Sequence, residues 1–503
     1  MQAPDTEGTS DTYDLKTSIA EKIHKNRWWI LAVVAMAQLM VVLDATVVNI
    51  ALPSAQKALD FSNADRQWIV TGYALSFGSL LLLGGRIADL FGRKKTFIVG
   101  LFGFAIASAI GGASTGFPML VTARAVQGAF GALLAPAALS LLTTTFTDSS
   151  ERGKAFGIYG AIAGAGGAIG LLLGGVLTEY LSWRWSLYVN LVFAVTAAVG
   201  GIIFLTNDHR DHRPKLDLPG VALASGAMFS LVYGFSHAET TSWSNSITLG
   251  FLIAAIALLV SFVFVETKVS HPLLPMRVVL NRNRGGSYLS VFIASVGMFG
   301  VFLFLTYYLQ NTLHYSPVVT GLAFLPMIAL LVMVATVTTS ILLPKFGPRY
   351  LISSGMIIAS LGMLLLGRIT ANSSYIFVIL PALLVLGVGL GAIMAPSMNT
   401  ATAGVTPADA GVASATVNTS QQIGGSIGTA LLNTLAASTG TAYLVGKTFS
   451  KQVVVEAAIH SYVTAFRWSA LVFVIGGVVA GSLLKSGVSK FPEEYSVEPV
   501  VAH

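Results

Sequence analysis

"VVLDATVVNIALP", running from Val41 to Pro53, sets one acid among aliphatic residues. Without Asp44 the stretch is an ordinary piece of membrane-spanning helix. With it, the helix needs a sheltered side, because a carboxylate at a helix centre costs about 2.5–3.5 kcal/mol on insertion scales. Ionisable groups inside a membrane usually face a cavity or one another. Asp44 is therefore read as lining the interior of a helical bundle.

The rest of the chain agrees. Of its 503 residues, 54% are hydrophobic and only 10% charged, where a soluble protein carries about 25% charged residues. This is the composition of an integral membrane protein. The net charge of +7 does not point to nucleic acid, since the basic residues sit between apolar blocks. There are no cysteines, which excludes disulfides, thiolate metal sites and cysteine nucleophiles. No histidines pair at metal-ligand spacing, and no Walker A sequence is present, so energy must come from a gradient rather than from ATP. "GASTG" (Gly112–Gly116) and "GGSIG" (Gly424–Gly428) fit G-x-S-x-G but lack the strand–turn–helix context of a nucleophile elbow. Residues 1–27 are polar, without the apolar core of a signal peptide.

A spanning helix needs about 20 apolar residues. Segments of that length fall at Trp28–Ala51, Gln67–Gly85, Thr96–Thr115, Met119–Phe146, Ala155–Leu177, Trp185–Leu205 and Leu218–Ser236. Seven more follow at Ile247–Val265, Tyr288–Asn311, Val318–Leu343, Tyr350–Gly367, Tyr375–Thr400, Val412–Ala437 and Trp468–Leu484. The expected fold is an all-α membrane protein of about fourteen spans. Lys and Arg favour one set of loops by roughly two to one, which places both termini in the cytoplasm.

The chain also repeats. "GALLAPA" from Gly131 matches "GAIMAPS" from Gly391, and "GGAIG" from Gly166 matches "GGSIG" from Gly424. "LFGRKK" from Leu90 has a weak echo in "KFGPRY" from Lys345. Parallel repeats imply two similar bundles. The division is a tail at 1–27, a six-helix bundle at 28–205, a linker with two inserted spans at 206–287, a second six-helix bundle at 288–484, and a tail at 485–503. Charge within the membrane is confined to the first bundle: Arg124 answers to Leu384 in the second, and Asp44 has no acidic counterpart.

At 1.5 Å per residue, Asp44 lies roughly 24 Å beyond Trp28, and Arg124 roughly 8 Å below the opposite face. Both fall at similar depth and can share one polar cavity. The pair is either a structural ion bond or a proton-coupling site, in which the carboxylate changes protonation as water reaches it from either side.

Four stretches in order, "LDATVVNIALP" (Leu43–Pro53), "GGRIADLFGRKK" (Gly84–Lys95), "RAVQGAFGALLAP" (Arg124–Pro136) and "GAIAGAGGAIGLLLGG" (Gly160–Gly175), together resemble the signatures of the major facilitator superfamily, in particular its fourteen-helix drug–proton antiporter branch. The resemblance covers nearly the whole chain. It implies that Arg124 takes part in proton coupling, and that Gly85, Asp89, Gly92 and Arg93 latch the cytoplasmic side. The alternative for the basic residues there is a topology signal alone. Gly160, Gly164, Gly166, Gly170, Gly174 and Gly175 step along the fifth span and permit close packing; by resemblance they form the hinge of an exporter, with generic packing as the alternative. The antiporter pattern usually has Gly-Pro where this chain has Gly170-Leu171, so a kink is missing.

Substrate is expected in a central, mostly apolar cavity with scattered amides, a setting for hydrophobic or monocationic compounds. Its candidate residues are Asn49, Gln127 and Tyr159 from the first bundle, and Tyr307, Tyr308, Gln310, Asn311, Asn399, Asn418, Gln421 and Gln422 from the second. The expectation is a proton-coupled exporter of a bacterial inner or plasma membrane. It works as a monomer in the bilayer and uses no cofactor beyond the coupling proton. A lipid translocator on the same fold is the first alternative; a non-transporting receptor or membrane enzyme is the second.

Overall fold

In the computed structural model, residues 7–61, 63–206, 217–406, 409–448 and 450–486 are described, and all their regular structure is helical. The first half comprises α1 (Glu7–Leu59), α2 (Asn63–Phe91), α3 (Arg93–Gly112), α4 (Phe117–Thr145), α5 (Ser149–Tyr180) and α6 (Trp185–Phe204). Two further helices follow, α7 (Leu218–Thr240) and α8 (Ser246–Glu266), then a strap carrying the short α9 (Met276–Val279). The second half holds α10 (Arg282–Tyr307), α11 (Pro317–Val337), the short α12 (Leu343–Phe346), α13 (Pro348–Leu366), α14 (Leu380–Thr402), α15 (Ala410–Leu444) and α16 (Lys451–Leu483). Three π-turns lie at Tyr308–Thr312, Thr338–Leu342 and Tyr375–Ile379.

Twelve helices among the described residues are long and apolar enough to cross a membrane. α5 and α15, at 32 and 35 residues, are long enough to cross a membrane as well. Their glycines and hydroxyl side chains suit helices wedged between neighbours: α5 packs on α1 and α11, and α15 on α2, α10 and α16.

Each half has its own core. Met40, Leu81, Phe97, Phe104, Leu139 and Phe156 centre the first; Phe304, Phe324, Met356, Leu390, Phe466 and Phe473 centre the second. The repeat extends to backbone geometry. Gly92 before α3 has φ 96° and Gly347 before α13 has φ 73°, left-handed values that favour glycine. "LFGRKK" and "KFGPRY" thus make equivalent turns.

Two boundaries differ most from the sequence reading. α1 already begins at Glu7, inside the segment read as a tail, and α16 begins at Lys451, well before Trp468. Helix α16 is apolar only from its middle onward. Tyr443 ties its polar first turns to α15: the hydroxyl donates to Glu456 Oε2 at 2.6 Å, and the ring stacks on His460 with 4.3 Å between centroids.

The inserted pair touches both halves. α7 packs on α2 and on α15. Thr71 and Ser236 join α2 to α7 at 3.1 Å, and Trp243 Nε1, in the α7–α8 turn, donates to Thr434 of α15 at 2.8 Å.

Candidate functional site

Five helices of the first half converge at Asp44 of α1, which is wholly buried. Its Oδ2 accepts from Arg124 Nη1 of α4 at 2.6 Å. Its Oδ1 accepts from Gln127 Nε2, also of α4, and from Asn190 Nδ2 of α6, each at 2.7 Å. Gln127 Nε2 also donates to Ser108 Oγ of α3 at 2.6 Å, and its Oε1 accepts from Arg124 at 2.6 Å. The guanidinium lies 4.4 Å from the centre of the Tyr73 ring of α2. Arg124 and Gln127 act together because residues three apart on a helix share a face. The similar depth inferred for Asp44 and Arg124 is realised as direct contact.

The carboxylate thus accepts three hydrogen bonds, one from a cation and two from amides. Three neighbouring polar atoms, Arg124 Nε, Asn190 Oδ1 and the Tyr73 hydroxyl, are buried without a protein partner. Such atoms retain unused hydrogen-bonding capacity. Ser108, Asn190 and Tyr73 escaped the sequence reading. The available signal was their polarity within otherwise apolar spans, which motif matching passed over.

At the face where α2 turns into α3, the halves are fastened twice. Asp89, at the end of α2, accepts from the backbone N–H groups of Gly411 (3.1 Å) and Val412 (3.2 Å) in the first turn of α15. An acid at a helix N-terminus meets the positive end of the macrodipole and unsatisfied donors. Asp409, the residue preceding α15, makes no side-chain cap and instead pairs with Arg277 at 2.8 Å. Gly85 permits this approach: a Cβ there would stand 2.6 Å from Gly411 O and from the Ala415 methyl. Arg93 Nε donates to Ser140 of α4 at 2.7 Å, a bond within the first half.

The second fastening is Arg152 of α5, which donates to Asn399 Oδ1 of α14 at 2.9 Å and to Thr402 Oγ1 at 3.0 Å. Gly153 and Gly157 lie against Thr339 and Thr336 on the same seam. Asn399, read from sequence as a substrate contact, is thus engaged at this closed face.

The glycines of α5 divide by partner. Gly160 meets Ala395 of α14, across the halves, whereas Gly166, Gly170 and Gly174 meet Val42, Thr46 and Val47 of α1, within the first half. Gly175 is buried. Contacts of Gly164, and the side chain of Asn49, lie outside the described residues.

The other proposed substrate contacts do not gather at one point. Tyr159 is buried and donates to Gln38 at 2.7 Å. Tyr308 is buried with its hydroxyl on Thr370 O, while Tyr307 and Asn311 are exposed and Gln310 half-buried near the far end of α10. Asn418 bonds back to Ser414 O in its own helix at 3.0 Å, and Gln421 and Gln422 are half-buried beyond it.

The chain matches the family described as Major Facilitator Superfamily over residues 34–429. It is 48% identical over 463 residues to the puromycin resistance protein pur8 of Streptomyces alboniger, covering 92% of each chain. It is 37% identical to the cephamycin export protein CmcT of Amycolatopsis lactamdurans, covering 81% of this chain and 85% of that one. The fold is that of the human organic anion transporter MFSD10, with a TM-score of 0.59 at 14% identity, covering 90% of this chain and 99% of that chain. Two packed helical halves and these relatives identify an integral membrane transporter, not an enzyme: the chain belongs to the major facilitator superfamily.

Proposed function

We propose that this protein is a proton-coupled exporter of hydrophobic or monocationic small molecules, working by alternating access. Counting α5 and α15 with the twelve apolar helices gives fourteen spans, as in the drug–proton antiporter branch. Both chain ends then lie in the cytoplasm of a bacterial cell, and the face fastened by Asp89 and Arg152 is the cytoplasmic gate, shut in this conformation.

The observation that carries the reading is Asp44, buried inside one half with a cation and two amides on its oxygens. When the carboxylate takes a proton from the outside, its attraction to Arg124 weakens. When the proton leaves to the inside, the full set of bonds returns. A cycle that alternates between these states ties cargo movement to proton entry. The relatives named for antibiotic resistance and export support an outward direction and small-molecule cargo.

Proteoliposomes with an imposed pH gradient and puromycin as probe test this. Export that follows the gradient and disappears in Asp44→Asn supports it. Gradient-driven export persisting in folded Asp44→Asn protein refutes it, and lipid movement without drug movement would favour a translocator.

A further inference from the structure

The linker between the halves holds a buried pair of acids that the export cycle does not use. Asp217, immediately before α7, is 4% exposed, and Glu266, the last residue of α8, is 3% exposed. Asp217 Oδ1 accepts from Gly220 N at 2.9 Å, but its Oδ2 is buried with no partner. Glu266 Oε1 and Oε2 accept from the backbone N–H groups of Leu273 (3.2 Å) and Leu274 (2.9 Å) in the strap. A methyl on Gly220 would collide with both Asp217 Oδ2 and Glu266 Oε1, so these two oxygens border the same small space.

Two carboxylates side by side in a buried site cannot both be ionised at low cost. The charged groups on the surrounding elements are engaged elsewhere or are not bonded to the pair among the described residues. Asp89 of α2 holds α15, Asp409 pairs with Arg277, and Lys268 lies over the Phe264 ring. Arg86 and His271 make no described bond to either acid. One hydrogen placed between Oδ2 and Oε1 supplies the missing partner.

We propose that Asp217 and Glu266 form a second proton-binding site, separate from Asp44, whose single shared proton fastens the strap beneath the cytoplasmic gate. The strap leads from Leu273 and Leu274 to Arg277, from Arg277 to Asp409, and so to the first turn of α15 that Asp89 holds. Loss of the proton sets two like charges against each other at the root of this chain of contacts.

The test is thermal unfolding of the full-length protein in detergent, followed by its seven tryptophans, at pH 6 and pH 9. The folded pair binds a proton more tightly than the separated acids of the unfolded chain. Its contribution is therefore present at low pH and lost as pH rises. Asp217→Asn keeps a good helix cap and presents a permanent hydrogen to Glu266. It should match the wild type at pH 6 and exceed it by at least about 2 °C at pH 9. Glu266→Gln should flatten the same slope, and serves if the first variant does not fold. Variants that keep the wild-type fall between pH 6 and 9, or that lose equal stability at both, overturn the proposal. Unfolding is independent of transport, so that failure leaves the export reading standing.

Discussion

Asp89→Ala removes the acceptor of two backbone bonds that join the halves. Hydrogen bonds to a charged group contribute about 1.5–3 kcal/mol each, so two bonds at 3.1 and 3.2 Å hold the gate by about 3 kcal/mol at the lower bound. Every 1.4 kcal/mol is a factor of ten, which makes the expected change in the closed-to-open ratio about 150-fold. Hydrogen exchange reads this directly. The amides of Gly411 and Val412 lie in the first turn of α15, where no intrahelical carbonyl is available, so their protection depends on Asp89. In Asp89→Ala a peptide spanning these residues should exchange on the order of 100-fold faster, with α3 unchanged as internal reference. Asp89→Asn keeps one acceptor without charge and should fall between. Unchanged exchange at these amides would refute the latch; fast exchange with normal export would show that the bond is not part of gating.

Arg124→Ala should strand Asp44 as a buried unpaired charge and lower stability by about 3–5 kcal/mol; adding Asp44→Asn should recover much of that in thermal unfolding without restoring export. Arg152→Gln and Asn399→Ala should each loosen the α5–α14 seam, and together should weaken it by less than their sum, as a double-mutant cycle on export would reveal. Gly92→Ala meets no neighbour but must hold φ 96°. It should lose about 1–2 kcal/mol through backbone strain alone, seen as a lower unfolding midpoint.

Much of this molecule was legible in its residues. Asp44 and Arg124 stood out because charge in hydrocarbon demands a reason, and the demand was met by a 2.6 Å bond. Asp89 stood out in its motif, but its partner did not: backbone N–H groups carry no residue signature, so Gly411 and Val412 could only be found in three dimensions. The bond of Asn399 to Arg152 was hidden for a related reason. An amide in a span has the same chemistry whether it meets cargo or Arg152, and only the fold decides. The polar start of α16 hid its length because its bonds to Tyr443 connect positions that hydropathy alone does not relate.

Helix α15 has no cap of its own and borrows one from the opposite half. In the proposed cycle, each parting of the face fastened by Asp89 takes that acceptor from two amides at the tip of α15 at once. Solvent must reach them as they separate. Wetting of the seam is then a condition of opening rather than its aftermath, and a drier seam would make the transporter slower to turn over.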